Sequence, residues 1–151
     1  MVEYLEYYRN ALERKCAGLT AEQMGTRSVP PSAMSLLGLV RHLTRVEHHW
    51  FRRVMGDEQS LPRLFNGPDD DAGFAFRAAT EDAVDSAWEL WRFEIAHSRD
   101  VLRRVEMHDM VQVDGQASEV RDVLLHLIEE YARHLGHADL IRECIDGRTG
   151  H

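Results

Sequence analysis

Apolar side chains recur at three- and four-residue intervals along most of this chain, as they do in helices that bury one face. Tyr4, Leu5, Tyr8, Ala11, Leu12 and Cys16 share one stripe, predicting a first helix from about Glu3 to Ala17 that Gly18 stops. Thr20-Ala21-Glu22-Gln23 fits a capping box and predicts a short helical turn. Val29-Pro30-Pro31-Ser32 predicts an extended break, because proline biases its predecessor away from helical geometry. A second helix should start near Ser32 or Ser35 and reach about Met55, ended by Gly56-Asp57. Its buried side would be Leu36, Leu39, Val40, Leu43, Val46, Trp50 and Val54.

Residues 56–79 are rich in Gly, Pro and Asp and predict a loop over one end of the molecule, long enough to suggest a functional role. A third helix, about Glu81 to Val105, would bury Val84, Ala87, Trp88, Trp91, Ile95, Val101 and Leu102. Asp114-Gly115 is a turn signal between two short extended pieces, although no segment reads as a convincing strand. The fourth helix should start after Ser118 as its N-cap and end near Ile145, with Asp146-Gly147 beyond it. Four long amphipathic helices describe an all-α, antiparallel four-helix bundle, in a single domain over residues 1–151. The long connection between the second and third helices could be a crossover, so simple up-down order does not follow.

The last helix breaks its own pattern. Leu124, Leu127, Ile128, Tyr131, Leu135, Ala138 and Ile141 form an apolar stripe, yet ionisable groups border it. On a helical wheel Glu130, His134 and His137 fall within roughly 60° of one another, and His126 joins them one turn earlier. Polar groups beside a core are costly unless paired or bound to a metal. Glu130 and His134, at i and i+4, project from adjacent turns and can share an ion. His42 is the best third donor, lying between Leu39 and Val46 on the inward side of the second helix. Imidazole with carboxylate suits a divalent ion: zinc first, with nickel, iron or manganese as alternatives. The competing reading is a hydrogen-bonded core histidine beside a Glu130–His134 surface pair worth a few tenths of a kcal/mol. Glu47, His49, Arg121, His126 and His137 are candidates for outer support or substrate contact, whereas His97 and His108 should face water.

The chain has 151 residues, 44% of them hydrophobic and 29% charged, as in soluble globular proteins. A net charge of −8 argues against a sequence-independent grip on nucleic acid, which needs Lys and Arg to neutralise phosphates. No apolar run could span a bilayer and no secretory signal opens the chain, so the expected location is the cytoplasm and no membrane partner is expected. Cys16 and Cys144 are not in a Cys-x-x-Cys arrangement and read as reduced thiols within helix packing. No Ser-His-Asp spacing, phosphate loop or paired catalytic carboxylate stands out.

Three segments resemble a known family. Residues 28–50, Ser-Val-Pro-Pro-Ser-Ala-Met-Ser-Leu-Leu-Gly-Leu-Val-Arg-His-Leu-Thr-Arg-Val-Glu-His-His-Trp, resemble the second helix of the DinB-like (YfiT-like) metalloenzyme superfamily. Residues 125–143, containing Glu130-Tyr-Ala-Arg-His134, are similar to its last helix, and Cys16-Ala-Gly-Leu-Thr-Ala-Glu-Gln-Met24 to its first linker. The likeness covers nearly the whole chain and points to an actinobacterial branch of unknown function. It implies a four-helix bundle in up-down-down-up order with an ion between the second and fourth helices. The usual ligands would be one histidine on the second helix and a His-x-x-x-His pair on the fourth. His42 and His134 match two of them, and Glu130 replaces the middle histidine. Mycothiol-dependent maleylpyruvate isomerases resemble this chain in that glutamate, but their second domain has no counterpart here.

The resemblance implies a metal-dependent enzyme whose small-molecule substrate is a low-molecular-weight thiol of mycothiol type or its adduct, acting as transferase, isomerase or hydrolase. A homodimer would also be in keeping with the resembled family. The alternative from another class is a non-catalytic metal- or small-ligand-binding bundle, whose ion would be closed by a fourth ligand from His126 or His137.

Overall fold

The computed structural model describes residues 1–56 and 58–150. The Asp57 half of the predicted Gly56-Asp57 stop and the terminal His151 lie outside the described residues. Among those described there are five α-helices and one two-stranded hairpin. They are α1 (Val2–Cys16), α2 (Ala21–Gly25), α3 (Leu36–Glu47), α4 (Glu81–Leu102), β1 (Met110–Val113), β2 (Gln116–Glu119) and α5 (Val120–Asp146). The protein is thus mostly helical. α1 packs along α5, α3 packs along α4, and α3 also meets α5. One core joins them, with Leu5, Leu12, Leu39, Leu43, Leu124, Leu127 and Tyr131 fully buried. No helix among the described residues is long and apolar enough to cross a membrane.

Helix starts follow local chemistry. Thr20 and Gln23 form both bonds of the capping box, and Ser35 and Thr80 cap α3 and α4 by accepting from Gly38 and Ala83. α5 departs from expectation: Ser118 is in β2, not at a cap, and the N-cap Glu119 makes no side-chain bond. The turn leading into the hairpin supplies the acceptors instead, since Val120 N–H donates to Asp109 O (2.9 Å) and Arg121 N–H to Met107 O (3.0 Å). β1 and β2 pair antiparallel through Val113↔Gln116, around a turn with positive φ at Asp114 and Gly115. The Val29–Ser32 break curls into a turn, Ser32 N–H donating to Val29 O at 2.8 Å, and does not run extended.

The second predicted helix changes winding part-way. From His48 to Val54 it is a π-helix, with the Met55 N–H reaching Trp50 O at 2.9 Å. The wider turn shifts the inward register, so Phe51 is fully buried while Trp50 and Val54, expected inward, are half-buried. At the far end, Arg142 on α5 donates to Lys15 O and Ala17 O, both at 2.9 Å, closing off the last carbonyls of α1. Both cysteines are free, but only Cys16 is buried; Cys144 is exposed and takes no part in packing.

Candidate metal centre

His42 stands on α3 beside the fully buried Leu39 and Leu43, with its own side chain 16% exposed. The 56–79 loop determines how its ring is held. The His42 Nδ1–H donates to Ala72 O at 3.0 Å, since a carbonyl can only accept. Phe74 stacks on the same ring, centroids 4.4 Å apart and planes 18° from parallel. Gly73 makes this approach sterically feasible: its φ is +100°, and a Cβ there would lie 2.8 Å from the His42 backbone nitrogen. Arg41 fastens the same loop by donating to Gly73 O (3.0 Å) and Ala75 O (3.2 Å). With Nδ1 protonated, the lone pair of His42 is on Nε2, turned toward α5.

Glu130 and His134 meet it from consecutive turns of α5. His134 Nε2 lies 3.3 Å and His42 Nε2 3.9 Å from the same carboxylate oxygen, Glu130 Oε2. The donor atoms of all three residues are within 4.8 Å of one another, and among the described residues no fourth His, Cys, Asp or Glu joins them. The imidazoles of His42 and His134 meet edge to face at 4.6 Å. Burial, followed by the neighbouring His42, pushes the His134 imidazole down to about 4. Burial lowers His42 as well, against the opposing pull of the Ala72 carbonyl and Glu130. Both rings are therefore neutral at neutral pH, each with one ring nitrogen able to offer a lone pair to an ion. The outer oxygen of Glu130 accepts from Arg133 Nη2 at 2.8 Å.

Two of the other candidates flank this group. His137 Nδ1 is 3.4 Å from His134 Nδ1, and His126 Nε2 is 3.9 Å from Glu130 Oε1. Three are elsewhere. Glu47 is fully buried and accepts from Arg9 Nη2 (2.6 Å), Tyr131 Oη (2.7 Å) and Ser98 Oγ (2.7 Å). That network stands outside the histidine cluster and ties four helices together. Arg121 is exposed and pairs with Glu119 at 2.9 Å. His49 lines a separate cavity at the π-helical turn. His108 is exposed as expected, but His97 is half-buried, 3.7 Å from Glu58. Sequence reasoning missed Ala72, Phe74 and the Arg9–Glu47–Tyr131 cluster. A run of Asp71-Ala-Gly-Phe74 in a loop carries no periodic signal, and nothing in the sequence around Arg9 marks it as buried.

A family model described as mycothiol-S-transferase matches residues 1–147. The chain belongs to the mycothiol-S-transferase family. This agrees with the DinB-like resemblance read from the α3 and α5 segments. Its fold is shared by a crystal structure of a conserved protein from Enterococcus faecalis, with a TM-score of 0.70 and 15% identity over 97% of this chain and 95% of that one. At such identity the likeness is one of fold alone. No curated protein matches the chain.

Proposed function

We propose that this member of the mycothiol-S-transferase family is a metal-dependent enzyme acting on a low-molecular-weight thiol of mycothiol type, or on its adducts, by transfer, isomerisation or hydrolysis. The observation that carries this reading is the convergence of His42, Glu130 and His134, from two helices, on one point. Two neutral imidazoles and one carboxylate are a donor set for a borderline divalent ion, zinc first and nickel, iron or manganese after it. Three donors, rather than the four a closed structural site would use, favour catalysis over mere binding. When bound, the ion would supply open positions for a thiol and lower its pKa toward a nucleophilic thiolate.

The chain's own groups fit the supporting roles. Ala72 O holds His42 in the tautomer that frees Nε2, and Phe74 excludes water from one side of its ring. His137, facing His134 Nδ1, would accept a hydrogen bond from a protonated Nδ1 and so leave Nε2 as the atom that offers its lone pair. Arg133 keeps Glu130 turned so that Oε2 faces the imidazoles. His126 is placed to take or return a proton beside the site. We take the four long helices to form one single-domain bundle in up-down-down-up order, which sets the α3–α5 seam that holds all three donors.

The test is metal analysis of protein purified without a nickel column, followed by a screen of thiol conjugates for turnover. About one equivalent of metal is expected, with His42→Ala and Glu130→Gln each losing it. Less than about a tenth of an equivalent, with His42→Ala unchanged in thermal stability, would overturn the reading.

A further inference from the structure

The π-helical turn after α3 builds a second polar cavity that the metal centre does not use. Wide turns of this kind are frequently found at functional sites. Here the turn, the following loop and the hairpin tip enclose about 350 Å³, with His49, Arg53, Gln59, Arg63, Gln112 and Asp114 in its wall. That volume is at the small end of the range for small-molecule sites.

The wall is short of acceptors. Arg53 Nε and His49 Nδ1 are both buried without a hydrogen-bond partner. Every other buried or half-buried arginine among the described residues (Arg9, Arg41, Arg45, Arg52 and Arg142) donates to a carboxylate or a carbonyl. Arg53 alone among them makes no such bond, although the chain as a whole is acidic at −8. Buried donors are expensive to leave unpaired, and charged ones more so. The field agrees with the geometry: after burial itself, Arg63 and Arg53 are what push the His49 imidazole down to about 4. Asp114 is the one carboxylate in the wall and opposes that field only in part.

We infer that this cavity binds one oxyanion group, a carboxylate or a phosphate, of a small molecule through Arg53, Arg63 and His49. Guanidinium groups offer planar paired donors that match either oxyanion, and the two glutamine amides can complete its coordination. Asp114 at the hairpin tip disfavours polyanions, so a single charged group on a compact molecule fits better than nucleic acid or a polyphosphate. The cavity is separate from the metal centre but adjoins it. Trp50 contacts His49 and His126, each at 5.0 Å between ring centroids, and His126 borders Glu130. The inference does not depend on the metal reading.

Isothermal titration of the full chain with propionate and, separately, with inorganic phosphate at constant ionic strength tests it. Saturable binding is expected, weakened tenfold or more by Arg63→Gln and by Arg53→Gln, and unchanged by His42→Ala. The tighter of the two anions identifies the oxyanion. Arg53→Gln should also melt higher than the parent without ligand, because the buried Nε donor that has no partner is gone; loss of binding through misfolding would lower it. Arg63 is exposed, so its replacement does not threaten folding and is the deciding arm. No saturation by either anion, parental affinity in Arg63→Gln, or loss of binding only in His42→Ala would each overturn the inference.

Discussion

Replacing Glu47 by Gln tests whether a buried charge cluster holds α3 against α5. The Glu47 side chain has no solvent exposure, and Arg9 grips it through Nε (2.9 Å) and Nη2 (2.6 Å). Ser98 on α4 and Tyr131 on α5 complete its coordination, each donating at 2.7 Å, and Trp91 donates to the Tyr131 oxygen at 3.1 Å. Without the carboxylate charge, Arg9 keeps only Glu6, at 2.8 Å, as a counter-ion while itself 1% exposed. Removing one partner of a buried pair costs about 3–5 kcal/mol. The amide oxygen can still accept from Tyr131 and Ser98, so the lower figure, about 3 kcal/mol, is expected. For a domain of this size that corresponds to roughly 6–12 °C in melting temperature. Urea and thermal unfolding followed by far-ultraviolet circular dichroism would measure it. Arg9→Met combined with Glu47→Leu should recover most of the loss, because neither residue then carries a desolvation penalty. Tyr131 adjoins Glu130, so Glu47→Gln should also weaken metal binding several-fold. A loss under about 1 kcal/mol, or strictly additive effects in the double replacement, would refute the coupling argument.

Two further predictions concern the site itself. In metal-free protein His134 titrates at about 4 when folded, against an ordinary value of 6.5. The unfolded chain therefore takes up the proton first; the contribution is fully present above about pH 7 and is lost as pH falls from 6.5 towards 4. Urea midpoints across that window should fall with pH, and His134→Gln should flatten the slope without abolishing it, since His49 shifts in the same direction; an unaltered slope would exclude His134 as a source. Gly73→Ala should cost about 1–3 kcal/mol through its left-handed backbone and weaken metal binding roughly tenfold by tilting His42. Parental metal affinity in that variant would show that the loop does not orient the ring.

Periodicity in the amino-acid sequence determined most of the helical plan, because burying one face of a helix imposes a spacing that any reader of the chain can see. Leu39–Val46 and Leu124–Ile141 marked their helices, and the same stripes singled out His42, Glu130 and His134 as polar groups out of place. Local signals were legible too: the Thr20 capping box depends on four residues in a row. Ser118 misled for the converse reason, since the acceptors that serve the start of α5 are the Asp109 and Met107 carbonyls of the turn before β1, brought there by the tertiary fold. The π-helical turn at His48–Val54 was equally hidden, and with it the inward place of Phe51. What only the tertiary structure decided was pairing between distant segments. Arg9 and Glu47 are 38 positions apart and His42 and Ala72 are 30 apart, separations over which no sequence period carries information. A helical wheel shows which way a side chain points; what stands opposite depends on the packing of whole elements, where burial makes each unpaired charge seek the one partner within reach.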